Sequence, residues 1–133
     1  MPGEPRWVSL DAVVALNREE VAKTGEPHRL LDRAALDIAV KRPWNVWVYF
    51  MDQDHATLAM ALLVAIAGAK AFAAGNERTA YRAAAALLEA NGFTLDLAAN
   101  RRRAEERLFD YFQGRLSQAG VADWFRTWMT PAR

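Results

Sequence analysis

The sequence predicts an all-α domain of about six helices, on three observations. Apolar residues recur at three- and four-residue spacing through most of the chain. Caps and stops stand between these runs. The one aromatic, β-branched run that departs from the helical period, Trp44 to Phe50, is short. The elements follow in order. Ser9 caps a first helix, with Asp11 in its first turn and Leu10, Val13, Val14 and Val21 on one face, and Thr24-Gly25-Glu26-Pro27 ends it. Asp32 caps a second helix carrying Leu36, Ile38, Ala39 and Val40. Pro43 is expected to stop it, because proline lacks an N–H and restricts Arg42 before it. Trp44–Phe50 suits a short extended segment or hairpin arm, a flap near residues 44–50 closed by Asp52-Gln53-Asp54.

Asp54 also caps a long third helix in which Leu58, Leu62, Ala65, Ile66, Ala69 and Phe72 share one stripe. The small residues Ala61, Ala65, Gly68 and Ala69 are expected to let another helix approach, which makes this helix central and buried. Gly75-Asn76 breaks the pattern. A fourth helix runs from about Glu77 to Ala90 and stops at Asn91-Gly92. Phe93 to Asn100 reads as irregular. A fifth helix, Arg101–Gln113, turns Leu108, Phe109 and Phe112 inward. Val121, Trp124, Phe125, Trp128 and Met129 give a last amphipathic helix.

Composition narrows the function. The chain has 133 residues, one domain's worth (1–133), of which 53% are hydrophobic and 25% charged. It has no cysteine, so disulfide, thiolate-metal and cysteine-nucleophile chemistry are excluded. Only His28 and His55 are available as imidazoles, and no metal site is predicted. Seventeen basic against sixteen acidic residues leave a net charge of +1, which gives no electrostatic case for direct nucleic-acid or membrane binding. Met1 to Trp7 has no apolar run of the secretory kind. The apolar stretch Leu58–Ala74 is interrupted by Gly68 and Lys70, and falls short of the roughly 20 residues a membrane span needs. A bacterial-type cytoplasm is the expected address.

One segment has the pattern of a site: Lys70-Ala71-Phe72-Ala73-Ala74-Gly75-Asn76-Glu77-Arg78-Thr79. A glycine turn leading into a helix presents unpaired N–H groups and the positive end of the helix dipole, a setting that favours phosphate. Asn76 can add amide donors and Arg78 a guanidinium fork. The plain alternative is an ordinary αα-corner, with Gly75 in the left-handed region, Asn76 as cap and Arg78 in solvent.

This run resembles the active-site loop of the Fic/Doc family, H-x-F-x-[D/E]-[G/A]-N-[K/G]-R-T. Three further segments are similar to the short Doc (death-on-curing) branch, in its order and spacing: Trp7-Val8-Ser9-Leu10-Asp11-Ala12-Val13, Arg42-Pro43-Trp44-Asn45 and Leu87-Leu88-Glu89-Ala90-Asn91-Gly92-Phe93. The resemblance extends over nearly the whole chain. The resemblance implies a helical Fic/Doc-like fold and phosphate or nucleotide contacts from Phe72, Gly75, Asn76, Arg78 and Thr79. It also implies ATP and Mg²⁺ as cofactors, and a flap at Trp44, Trp47 and Tyr49 that receives a protein partner. The implied role is the toxin of a bacterial toxin–antitoxin pair. Such a toxin transfers a phosphate-containing group to a hydroxyl of a target such as a translation elongation factor and is restrained by a small antitoxin. No Ser/Thr-x-x-x-Glu segment of the kind that inhibits some relatives internally is present, so restraint is expected from a partner chain.

The departures fall on the chemistry. Lys70 stands at the family's histidine, which activates the target hydroxyl or relays the transferred group. Ala74 replaces the acidic residue that helps hold Mg²⁺, and Glu77 the lysine or glycine before the arginine. The longer loop's second arginine falls at Tyr81, with Arg82 one position on. Losing a general base typically costs about 10²–10⁴-fold in rate. A lysine serves as a base only when its pKa falls from about 10.4 toward 7. Lys70 therefore reads as a substitute catalytic group, as a charged phosphate partner, or as an idle lysine at a helix C-terminus. The alternative to the toxin is a catalytically silent Fic fold acting as a binding or regulatory module. His28 and His55 show no partner in the sequence, and nothing aims Asp52 or Asp54 at the loop. The Arg101-Arg102-Arg103 cluster, offset by Glu105 and Glu106, reads as a solvated helix face or as a contact for phosphate or an acidic partner.

Overall fold

Two alanine-rich helices and the tight loop between them form the centre of the molecule. The computed structural model describes residues 3–51 and 54–132. Asp52, considered above as a carboxylate, and Gln53 lie outside the described residues. The helices are α1 (Leu10–Thr24), α2 (Arg33–Tyr49), α3 (His55–Ala69), α4 (Asn76–Ala90), α5 (Leu97–Phe112) and α6 (Gln118–Trp128). Two short strands, β1 (Phe93–Thr94) and β2 (Thr130–Pro131), pair antiparallel and tie the end of the chain to the turn after α4. The fold class is all-α, with six helices among the described residues, as the periodicity predicts. None of them is long and apolar enough to cross a membrane.

Local chemistry explains the boundaries. Ser9, Asp32, Asp54, Asp96 and Ser117 each accept a hydrogen bond from the backbone N–H three residues on, the side-chain cap that a helix start requires. Gly25, at φ +70°, closes α1 in the left-handed conformation. Helix α3 is apolar on almost every side because it packs against α2, α4 and α6 together. Leu58, Leu62, Leu63 and Ile66 are buried in the same cluster as Leu87 and Leu88 of α4 and Phe125 of α6.

Several elements differ from expectation. Pro43 does not stop the second helix: α2 runs through it to Tyr49, with Pro43 buried inside. An interior proline costs about 3 kcal/mol. Here Leu36, Ala39, Pro43 and Val46 make one buried stripe at helical spacing on both sides of the proline, and burial of that stripe offsets the cost. Trp44–Tyr49 is therefore helical, not an extended flap, and Ile38 faces outward at 71% exposure. Helix α3 ends at Ala69, so Phe72 lies beyond it, buried and bridged to Leu30. A Cβ placed on Gly68 would meet no atom within 4 Å, so this glycine serves no close helix approach. Helix α5 begins at Leu97 rather than Arg101. It buries Ala104 and Leu108, and leaves Phe109 and Phe112 exposed.

Candidate functional site

The loop from Lys70 to Gly75 joins α3 to α4 at the heart of the fold. Two residues in it take the left-handed conformation: Lys70 at φ 47° as the C-cap of α3, and Gly75 at φ 74° as the N-cap of α4. These reversals turn the chain through the corner. Position 75 is also sterically tight: a Cβ there would lie 3.0 Å from Val21 Cγ1 and 3.3 Å from an Arg78 guanidinium nitrogen, so these side chains would have to shift.

Three sets of polar contacts hold the loop. First, residues 29–32 run alongside residues 71–73. The N–H groups of Leu31 and Asp32 donate to the Ala71 carbonyl at 2.7 and 3.2 Å, and the Ala73 N–H donates to the Arg29 carbonyl at 2.9 Å. Second, Asn76 clasps Phe72: its Oδ1 accepts the Phe72 N–H at 3.0 Å and its Nδ2 donates to the Phe72 carbonyl at 2.9 Å. Third, Asn17 of α1, completely buried, donates from Nδ2 to the Ala74 carbonyl at 2.9 Å and to Thr79 Oγ1 at 3.0 Å. With both amide hydrogens used, Asn17 Oδ1 accepts from His28 Nδ1 at 2.9 Å, which places the imidazole proton on Nδ1. His28 thus has a partner that the sequence did not reveal, and its ring lies 6.3 Å from that of Phe72.

The structure accounts for each predicted site residue. Phe72 and Thr79 are buried parts of the framework. Arg78 does not extend into solvent. It pairs with Glu26 and donates to Thr24 Oγ1 at 3.3 Å and to the Glu20 carbonyl at 3.4 Å, fastening the end of α1 to the start of α4. Hydrogen bonds from Thr24 and Arg78 hold the Glu26 carboxyl below the ordinary carboxylate range. Tyr81, at the place of a second arginine, is buried, and burial pushes its hydroxyl pKa up. Ala74 offers no side-chain oxygen, and its carbonyl already accepts from Asn17. Among the described residues no three His, Asp or Glu side chains converge as a metal would require. Position 74 therefore does not fit the Mg²⁺ role that the resemblance implies.

A groove of about 470 Å³ lies over this turn, lined by Lys70, Gly75, Asn76, Glu77 and Arg78, with Glu105 from α5. No side chain caps α4, so its first-turn amides and Lys70 favour an anion, while Glu77 opposes one. Glu105 pairs with Arg101 at 3.5 Å. The groove has donors for an anionic group; its carboxylates are Glu77 and Glu105, with none at position 74, and no imidazole lines it.

The aromatic segment lies elsewhere. The short α2–α3 connection makes the two helices antiparallel, so Trp44, Trp47 and Tyr49 sit near the start of α3, while the loop follows its end. The 15 residues of α3, at about 1.5 Å each, separate them by roughly 22 Å. Trp47 packs on Trp7, with ring centroids 6.0 Å apart; Trp44 and Tyr49 are exposed and stack edge-on at 6.4 Å. The aromatics do not rim the groove. His55 likewise caps no site: its ring lies 5.1 Å from Phe93.

The sequence reading missed the polar residues of α1. Val13, Asn17, Glu20 and Val21 share one buried face, and the signal was available in polar residues standing at apolar phase. Glu20 is 1% exposed and accepts from Lys23 at 2.8 Å, Arg101 at 3.0 Å and Arg82 at 3.2 Å, which joins α1, α4 and α5. Arg101 therefore belongs to this internal cluster. Arg102 pairs with Glu106 at 3.5 Å, and Arg103 lies over the Trp128 ring at 5.0 Å.

Comparison with protein-family models finds no match, and comparison with curated proteins finds no significant one.

Proposed function

We propose that this chain is a Doc-like fold that keeps the loop framework without the transfer chemistry, and that it acts as a binding or regulatory module. One observation carries the reading: the side chains that would serve substrate are either replaced or engaged inside the fold. Lys70 and Ala74 stand at the base and metal positions, Asn76 holds Phe72, Arg78 holds Glu26, and Thr79 holds Asn17. What remains for a ligand is backbone N–H groups at the start of α4 together with Lys70, a set suited to gripping a phosphate of a nucleotide such as ATP rather than moving it. Glu77 in the first turn of α4 weakens that grip. A small antitoxin-like protein is the proposed partner, and a cytoplasmic setting is part of the same reading.

The second reading is an active toxin that transfers a phosphate-containing group from ATP to a protein such as a translation elongation factor. Lys70 favours it, as an exposed lysine on the groove at the family's histidine position. Two experiments separate the readings. Titration with ATP, with and without Mg²⁺, should shift the amides of residues 75–79 first, and Lys70→Gln should weaken binding. Saturating ATP that leaves these amides unmoved refutes the module's phosphate grip. Incubation with γ-labelled ATP and a bacterial lysate should label no protein, and expression should not arrest growth. The double change Lys70→His with Ala74→Asp should raise both. Wild-type transfer abolished by Lys70→Ala, with binding intact, overturns the silent module and establishes the toxin.

A further inference from the structure

Away from the loop, an open cleft of about 470 Å³ runs along α2 and α3. Small side chains create it. Ala35 and Ala39 of α2, and Ala61, Ala65 and Ala69 of α3, recur every four residues along its walls. Ile38, Val46, Met60 and Val64 complete an aliphatic lining. Three polar side chains reach it: Arg42, Asn45 and Gln118; no acid does. Gln118 already donates to the Tyr111 hydroxyl at 3.1 Å. Among the described residues, the Arg42 guanidinium and the Asn45 amide have neither an ion pair nor a hydrogen bond. They stand three residues apart on one helix, which makes them neighbours on its surface.

We propose that this cleft binds a small single-tailed amphiphile bearing one carboxylate. The carboxylate sits on Arg42 and Asn45, and the tail lies along the alanine walls. The volume is that of a small-ligand pocket, with an apolar lining and a few convergent polar groups. Charge selects the head group: one unpaired cation, no acid in the lining, and a guanidinium fork that matches a carboxylate in two parallel hydrogen bonds. The proposal rests on no part of the reading of the α3–α4 loop.

The test uses decanoate and decanol, below their aggregation limits, with methyl NMR of Ile38, Met60 and Val64 as the readout. Decanoate should shift these methyls saturably and bind at least about tenfold more tightly than decanol. Arg42→Gln, a change on an exposed side chain, should remove that preference while leaving decanol binding unchanged. Ala65→Leu should block both ligands; should that variant not fold, the Arg42→Gln comparison decides alone. Unmoved methyls, equal affinities for the two ligands in the wild type, or undiminished binding by folded Ala65→Leu would each overturn the proposal. So would an amphipathic helical peptide that shifts these methyls where decanoate does not, which would assign the cleft to a protein.

Discussion

Replacing Glu20 by glutamine should destabilise the protein measurably, and its effect should fade in acid. The carboxylate is buried and receives Lys23, Arg101 and Arg82 at 2.8, 3.0 and 3.2 Å. Stranding a buried charge by removing its partner costs about 3–5 kcal/mol. Here the cations are not stranded. Arg82 keeps Glu19 at 2.7 Å, Arg101 keeps Glu105 at 3.5 Å, and Lys23 lies mostly in water. The loss is therefore that of charge-assisted hydrogen bonds partly recovered by solvent, about 1.5–3 kcal/mol. For a chain of this size that lowers Tm by about 6–12 °C, readable by circular dichroism at pH 7. Glu19→Gln, on an exposed carboxylate, should cost less than about 0.5 kcal/mol. Burial pushes the Glu20 carboxyl up, but the hydrogen bond from Lys23 and the charges of Lys23, Arg101 and Arg82 outweigh it, so its pKa lies below the ordinary value. A carboxylate with a lowered folded pKa contributes fully above the unfolded value of about 4.3, and the contribution disappears as pH falls through the folded one. Wild type and Glu20→Gln should thus converge below about pH 4. A Tm for Glu20→Gln within about 1 °C of wild type at pH 7, or a gap that persists unchanged at pH 3, would refute the reasoning.

Gly75→Ala should cost about 1–2 kcal/mol in a thermal or urea melt, since it forces a side chain into φ +74° and against Val21. Lys70→Gly should act the other way, raising Tm by about 1–3 °C as the left-handed residue is relieved of its Cβ, and a lowered Tm would show that Lys70 makes a stabilising contact. Trp47→Ala should lose about 2–3 kcal/mol because its ring packs on Trp7 and the core. Tyr49→Ala, on an exposed ring, should stay within about 0.5 kcal/mol of wild type. Equal losses from the last two would disprove the assignment of Trp47 to the core and Tyr49 to the surface.

Much of the helical framework was legible because its signals are local. A cap such as Ser9, Asp32 or Asp54 acts on an N–H three residues away, and Gly25 and Gly75 act on their own dihedral angles, so each announces itself in a few letters of sequence. The central position of α3 was also legible, since a helix apolar all round must be covered all round. The loop's chemistry was not. Whether Asn76, Arg78 and Thr79 face a ligand or the fold depends on what stands opposite them, and Phe72, Glu26 and Asn17 were placed there by chain packing from four to more than fifty residues away. Pro43 shows the same limit in reverse. Its local preference is to end a helix, and only burial of the stripe it shares with Ala39 and Val46 outweighs that preference. The sequence by itself determined where most of the helices begin, that α3 is buried and that the chain turns at Gly25 and Gly75. The tertiary structure alone decided which polar side chains remain free to act, because a polar group's availability is set by its partners, and partners are brought together by the fold.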